Sequence, residues 1–138
     1  MRMLNHLLLV EDDEADIELI QIALAEHILI QHIAVVNDGA AALDYLRFEG
    51  NFSTRTKTYP EMIIMDLKMP KMNGIEALQQ IKLHPLLQTI PVFILSSSSE
   101  PRDLAAAQKL NAKKYIVKEA GFQSLIDAVK QYLNEPLA

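Results

Sequence analysis

Four short apolar runs divide this chain at nearly regular intervals: Leu7-Leu8-Leu9-Val10, Ile33-Ala34-Val35-Val36, Met62-Ile63-Ile64-Met65 and Val92-Phe93-Ile94-Leu95. Tyr115-Ile116-Val117 is a weaker fifth. Each run is strand-sized and nearly continuous rather than alternating, the pattern of strands buried on both faces. The stretches between them repeat at helical spacing instead. Ile17, Ile20 and Leu24 form one stripe, Ile75, Leu78 and Ile81 a second, and Phe122, Leu125, Ile126, Val129 and Leu133 the clearest. Strand followed by helix, five times over, predicts an α/β domain: one doubly wound parallel sheet with helices on both faces, in three layers.

Local punctuation agrees with that reading. Asp13 is placed to N-cap the first helix, Pro85 to stop the third, and Pro101 to occupy the first turn of the fourth. Residues 48–60 (FEGNFSTRTKTYP) are polar and read as a long surface loop. Residues 134–138 read as a short tail. No repeat or linker divides the 138 residues, so a single domain is expected.

Composition narrows the function classes. With no cysteine there is no thiolate zinc site and no thiol nucleophile. The formal net charge of −5 argues against direct nucleic-acid binding, which needs clustered Lys and Arg. No signal-peptide core or membrane-length apolar run occurs, so a cytoplasmic protein is expected. The charge is also uneven: residues 1–69 hold 12 acids against 5 bases, and residues 70–138 hold 6 against 8. Glu14, Asp16 and Glu18 suit the positive end of a helix dipole, whereas Glu11 and Asp12 precede the helix and need another explanation.

Ligands of open parallel sheets bind beyond the carboxyl ends of the strands. Glu11-Asp12-Asp13 follows the first strand, Asp66 the third, Ser96 to Ser99 the fourth, and Lys118 the fifth. Converging carboxylates repel one another, and a divalent cation relieves that repulsion. All-oxygen ligation favours Mg²⁺, which suits phosphoryl transfer. The four histidines show no ligand spacing and read as structural or surface residues. Met62, Met65, Met69 and Met72 read as core and loop filler.

Four segments together resemble the receiver domain of two-component response regulators. They are Leu9-Val10-Glu11-Asp12-Asp13, Met65-Asp66-Leu67-Lys68-Met69-Pro70 with Asn73-Gly74, Leu95-Ser96-Ser97, and Tyr115-Ile116-Val117-Lys118. The match runs over about residues 5–133, in the order and spacing of the family. It implies a flavodoxin-like sheet of strand order 2-1-3-4-5. Asp66 is then the phosphoacceptor, taking a phosphoryl group from the phosphohistidine of a sensor histidine kinase. Asp12, Asp66, the backbone carbonyl of Lys68 and Glu11, directly or through water, are the implied Mg²⁺ ligands. Lys118 and Ser96 are the implied contacts to phosphoryl oxygens, and Tyr115 is the aromatic switch that turns inward as Ser96 moves.

By the same resemblance, the chain acts as a phosphoacceptor rather than an enzyme and signals through protein contacts. These involve a relay partner, a downstream protein or a homodimer, with Arg102, Lys109, Lys113 and Lys114 offering a basic contact patch. Loop 48–60 and the Lys-Glu-Ala ending of the last motif resemble standalone receivers that partner bacterial phytochrome-type kinases. One departure concerns the residue after Lys118, usually Pro in the family and here Glu119. A cis bond before a non-proline costs about 2.5–4 kcal/mol, so a trans peptide or an altered loop is expected.

Three other readings compete. A haloacid-dehalogenase-type phosphatase needs a second Asp two residues past the nucleophile, where this chain has Lys68. A flavodoxin-type electron carrier must hold a flavin phosphate where Glu11-Asp12-Asp13 would repel it, and the chain has no tryptophan to stack on the ring. A non-phosphorylated pseudo-receiver would be expected to lack Asp66 or the acidic pair, and both are present. Among the serines, Ser97 is expected near the site, while Ser98 and Ser99 read as polar loop.

Overall fold

The alternation of apolar runs and helical stripes appears in the computed structural model as ten regular elements among the described residues, 1–136. These are β1 (Leu4–Val10), α1 (Glu14–His27), β2 (Ile30–Val36), α2 (Gly39–Arg47), β3 (Met62–Asp66), α3 (Gly74–Leu83), β4 (Val92–Ser96), α4 (Pro101–Lys109), β5 (Lys114–Val117) and α5 (Gln123–Asn134). All strand pairs are parallel, in the order β2-β1-β3-β4-β5. Parallel pairing brings every strand's carboxyl end to one edge.

The side-chain alternation of β1 divides the core. Leu8 and Val10 face a layer with Leu43, Leu46, Leu78, Ile81 and Ala107, from α2, α3 and α4. Leu7 and Leu9 face Ile20, Leu24, Leu125, Ile126, Val129 and Leu133, from α1 and α5, and Leu4 at the start of the strand packs into the same layer despite its opposite parity. Each such Leu, Ile or Val side chain stabilises the fold by about 1.5–3 kcal/mol on full burial. The central strands β3 and β4 are buried at every residue. The edge strands are not: β2 and β5 are only partly buried, because each has one neighbour. Continuous apolarity therefore overstated the burial of the second and fifth runs.

Helix boundaries follow the caps. The Asp13 side chain accepts the Asp16 N–H at 2.9 Å, and Asp38 accepts that of Ala41 at 2.7 Å. Asn73 and Glu76 form a reciprocal capping box at the start of α3. His84, held extended before Pro85, ends α3, and Pro101 opens α4. Phe122, expected inside the last helix, instead precedes it in a left-handed conformation while remaining buried. The expected tail also shifts: Asn134 closes α5, and residues 137 and 138 lie outside the described chain.

Loop 48–60 is more organised than its polar composition suggests. It contains a 3₁₀ turn at Gly50–Phe52 and a fixed arginine. Arg55 donates to the Tyr45 carbonyl at 3.0 and 2.6 Å and to the carbonyls of Thr56 and Thr58 at 2.9 Å each. Its guanidinium lies 3.7 Å from the ring centre of Tyr45 and 4.2 Å from that of Phe48.

Candidate functional site

Each chemically equipped residue sits at or just past a strand end. Asp66 is the last residue of β3 and Ser96 the last of β4; Glu11 follows β1 directly and Lys118 follows β5 directly. Backbone bonds across the edge fix these positions. The Glu11 N–H donates to Val36 O at 3.0 Å, and the Lys118 N–H donates to Ser96 O at 2.7 Å. Asn37 Nδ2 holds the Glu11 carbonyl at 3.0 Å. Gly74 lets the loop after β3 close, because a Cβ there would lie 2.5 Å from the Asp66 carbonyl oxygen. Its N–H donates to Leu67 O at 2.8 Å.

Carboxylate oxygens of Glu11, Asp12 and Asp66 lie within 4.8 Å of one another. Glu11 is 1% exposed and Asp66 7%, whereas Asp12 is exposed. Burial pushes the Glu11 carboxyl up to about 7, against the opposing pull of Lys118, with the Asp66 charge adding to the rise. Burial likewise raises Asp66, again opposed by the Lys118 ammonium. Burial disfavours the charge on Lys118, but the carboxylates of Asp16, Glu11 and Asp66 outweigh it and raise its pKa.

Glu11 Oε2 accepts the N–H groups of Asp12 and Asp13 at 3.1 and 3.2 Å. Oε1 is buried and has no aligned hydrogen-bond donor; Lys118 Nζ, 2.9 Å away, is an ionic contact. A buried, under-satisfied oxygen beside two further carboxylates fits a hard divalent cation, which prefers oxygen donors.

The edge thus gathers Glu11, Asp12, Asp66 and Lys118, with Ser96 at the adjoining strand end. Lys68 lies two residues past Asp66 with its side chain exposed. No described peptide bond is cis, so Lys118–Glu119 is trans. The Tyr115 hydroxyl donates to Ser98 O at 2.7 Å.

Sequence reasoning missed two side chains. Asp16 suits the helix dipole by its place in the first turn, but its Oδ2 accepts from Lys118 Nζ at 2.8 Å. Its spacing from Ile20 and Leu24 was the available signal, since residues four apart share a helix face. Ser98, read as polar loop, is buried and links its neighbours. Its N–H donates to Ser96 Oγ at 3.0 Å and its hydroxyl donates to Asp103 Oδ2 at 2.8 Å. Ser97 is exposed.

The family model for the response regulator receiver domain matches residues 7–130. This chain belongs to the receiver domain family. Response regulator Rcp1 of Synechocystis sp. is 33% identical over 124 residues, covering 90% of this chain and 83% of that protein. Bacteriophytochrome response regulator RtBRR has a TM-score of 0.85 at 43% identity, covering 99% of this chain and 81% of that one. The phosphorylated cyanobacterial phytochrome response regulator RcpA gives 0.81 at 38% identity, covering 95% and 91%. Rcp1 has been solved in a Mn²⁺-bound form, with a TM-score of 0.81, 31% identity and 96% coverage of each chain. Receiver domains are phosphoacceptor signalling modules that bind a divalent metal at an acidic site, and Glu11, Asp12 and Asp66 of this receiver converge closely enough that they could hold one. No described helix is long and apolar enough to cross a membrane.

Proposed function

We propose that this receiver, acting as one domain over residues 5–133, accepts a phosphoryl group on Asp66 from the phosphohistidine of a sensor histidine kinase. One observation carries the reading. The Asp66 carboxylate meets Glu11 and Asp12 oxygens within 4.8 Å and lies 3.6 Å from the Lys118 ammonium. An Asp66 oxygen attacks phosphorus, forming a P–O bond as the P–N bond to the imidazole breaks. The bonding pair leaves with the imidazole nitrogen, and a proton already on the other ring nitrogen makes the leaving group neutral imidazole.

Glu11, Asp12, Asp66 and the Lys68 backbone carbonyl would hold Mg²⁺. When bound, that ion neutralises charge on the transferring phosphoryl group. Lys118 pairs with one phosphoryl oxygen and Ser96 donates its hydroxyl to another. A Ser96 that turns to do so gives up its acceptance of the Ser98 N–H, and Ser98 O is what anchors the Tyr115 hydroxyl. Ser96 and Tyr115 thereby carry the phosphorylated state outward, toward α4 and β5.

Likeness to the phytochrome response regulators RtBRR and RcpA supports a phytochrome-type kinase as the donor. The exposed Arg102, Lys109, Lys113 and Lys114 support a protein contact, to a downstream partner or a second copy, as the output.

Incubation with acetyl phosphate and Mg²⁺ is expected to add one phosphoryl group to the intact mass, and Asp66→Asn to abolish it. No gain with acetyl phosphate or any histidine kinase would overturn the reading in favour of a pure binding module. Ser96→Ala is expected to remain phosphorylated while losing phosphorylation-dependent partner binding.

A further inference from the structure

Lys118 Nζ is shared among three carboxylates, and the shortest contact is not with the phosphoacceptor. Asp16 Oδ2 lies at 2.8 Å, Glu11 Oε1 at 2.9 Å and Asp66 Oδ2 at 3.6 Å. The Lys118 side chain is 17% exposed and that of Asp16 28%, so bulk solvent and salt screen their contact less than a surface ion pair. Asp16 stands outside the group formed by Glu11, Asp12 and Asp66. It is therefore a carboxylate that holds the lysine without belonging to the converging set.

Both ends of this contact start from fixed backbone. The Asp16 N–H is tied to the Asp13 cap at 2.9 Å, and Ile20 and Leu24 on the same helix face are fully buried. The Lys118 N–H is tied to Ser96 O at 2.7 Å. The two residues are 102 apart in sequence and meet because α1 packs beside α5 and the Ala120–Phe122 turn that follows Lys118.

A divalent cation and an ammonium compete for the same Glu11 and Asp66 oxygens. With only those two carboxylates for partners, Nζ would close on Asp66, cancelling the charge that attracts the cation and covering the nucleophile. We propose that Asp16 is a positioning residue that draws the Lys118 ammonium off Asp66. It thereby keeps the ammonium on Asp16 and Glu11 and at 3.6 Å from Asp66, leaving the Asp66 and Asp12 oxygens open to a divalent cation with the ammonium still beside the incoming phosphoryl group. The inference rests on Asp66 being the phosphoacceptor. Asp16 touches neither metal ligand nor phosphoryl group in this role; it acts through Lys118.

The test is a double-mutant cycle read by calorimetric titration of Mg²⁺ into the full chain, with no phosphodonor. Asp16→Asn, which keeps the side-chain shape, is expected to weaken Mg²⁺ binding about fivefold, within the range of couplings between contacting residues. Asp16→Glu, which keeps the charge, is expected to restore most of the affinity. In a Lys118→Ala background, Asp16→Asn is expected to change affinity less than about twofold, because the lysine through which it acts is gone. Unchanged affinity in folded Asp16→Asn overturns the proposal. So does equal weakening with and without Lys118, which would make Asp16 a source of bulk negative charge only. Failure of the Asp66 reading appears separately, as absence of phosphoryl gain in the parent chain at saturating Mg²⁺. The lysine coupling stands if the cycle still closes as described.

Discussion

The two ends of β1 each carry a buried polar cluster, and the clusters are built on opposite principles. At the amino end, His6 is buried and hydrogen-bonded to the Tyr45 hydroxyl, while Arg55 spends its donors on backbone carbonyls between two aromatic rings. At the carboxyl end, Glu11 and Asp66 are also buried, yet Glu11 Oε1 has only the poorly aligned Lys118 ammonium at 2.9 Å and three carboxylates crowd together. Polar groups that satisfy one another rigidify a fold, whereas groups left unsatisfied keep an affinity for something outside the chain.

The sharpest way to break this contrast is Arg55→Ala. Removing a charged group that makes four hydrogen bonds is expected to cost about 3 kcal/mol in urea unfolding. It should also make loop 48–60 sensitive to limited proteolysis, while phosphoryl acceptance at Asp66 persists. Loss of acceptance in a folded Arg55→Ala protein would mean that the two ends are coupled rather than independent.

Gly74→Ala probes the reactive end at its backbone. A Cβ would meet Asp66 O at 2.5 Å and Leu67 Cα at 2.9 Å, and backbone atoms yield little. We expect a stability loss of about 2 kcal/mol by thermal melting, together with slower phosphorylation. Glu11→Gln should weaken Mg²⁺ binding about tenfold, or about 1.4 kcal/mol, by calorimetry, since it removes a buried anionic oxygen from the cluster. An unchanged affinity would detach Glu11 from the metal.

The smallest expected effect is a pH dependence at the amino end. Burial lowers the pKa of His6 below 6.5, helped by His32 and Arg55 and opposed by Glu61 and the Tyr59 backbone. The unfolded chain therefore takes up this proton first as pH falls. Stability due to His6 is present above 6.5 and is lost as pH drops below it. His6→Gln should flatten the melting temperature against pH between about 7 and 5; a parallel profile would mean that another group titrates.

The histidines show how far sequence reading reached. Read singly, they have no ligand spacing, and His6 is structural as expected. Only the register of β1 against β2 makes His6 the partner of His32, with ring centres 5.2 Å apart. Loop 48–60 was legible as a loop, but its order depends on Arg55 finding Tyr45 and Phe48, which no local pattern announces. The serines after β4 were legible as a polar turn. That Ser98 joins Ser96, Asp103 and Tyr115 depends on how α4 and β5 return to that turn.

By itself, the sequence determined the strands, their ends and hence the residues that share the ligand-binding edge. Apolar period and cap chemistry act within a few residues, and parallel connectivity then sends every strand end the same way. Glu11, Asp12, Asp66, Ser96 and Lys118 are therefore legible as neighbours from the order of the elements alone. Only the tertiary structure decided how the lysine divides itself among the carboxylates, and that Asp16 takes the shortest contact. That choice rests on differences of less than 1 Å between the 2.8 and 3.6 Å contacts. Separations that small are set by how α1 packs on the sheet rather than by spacing along the chain.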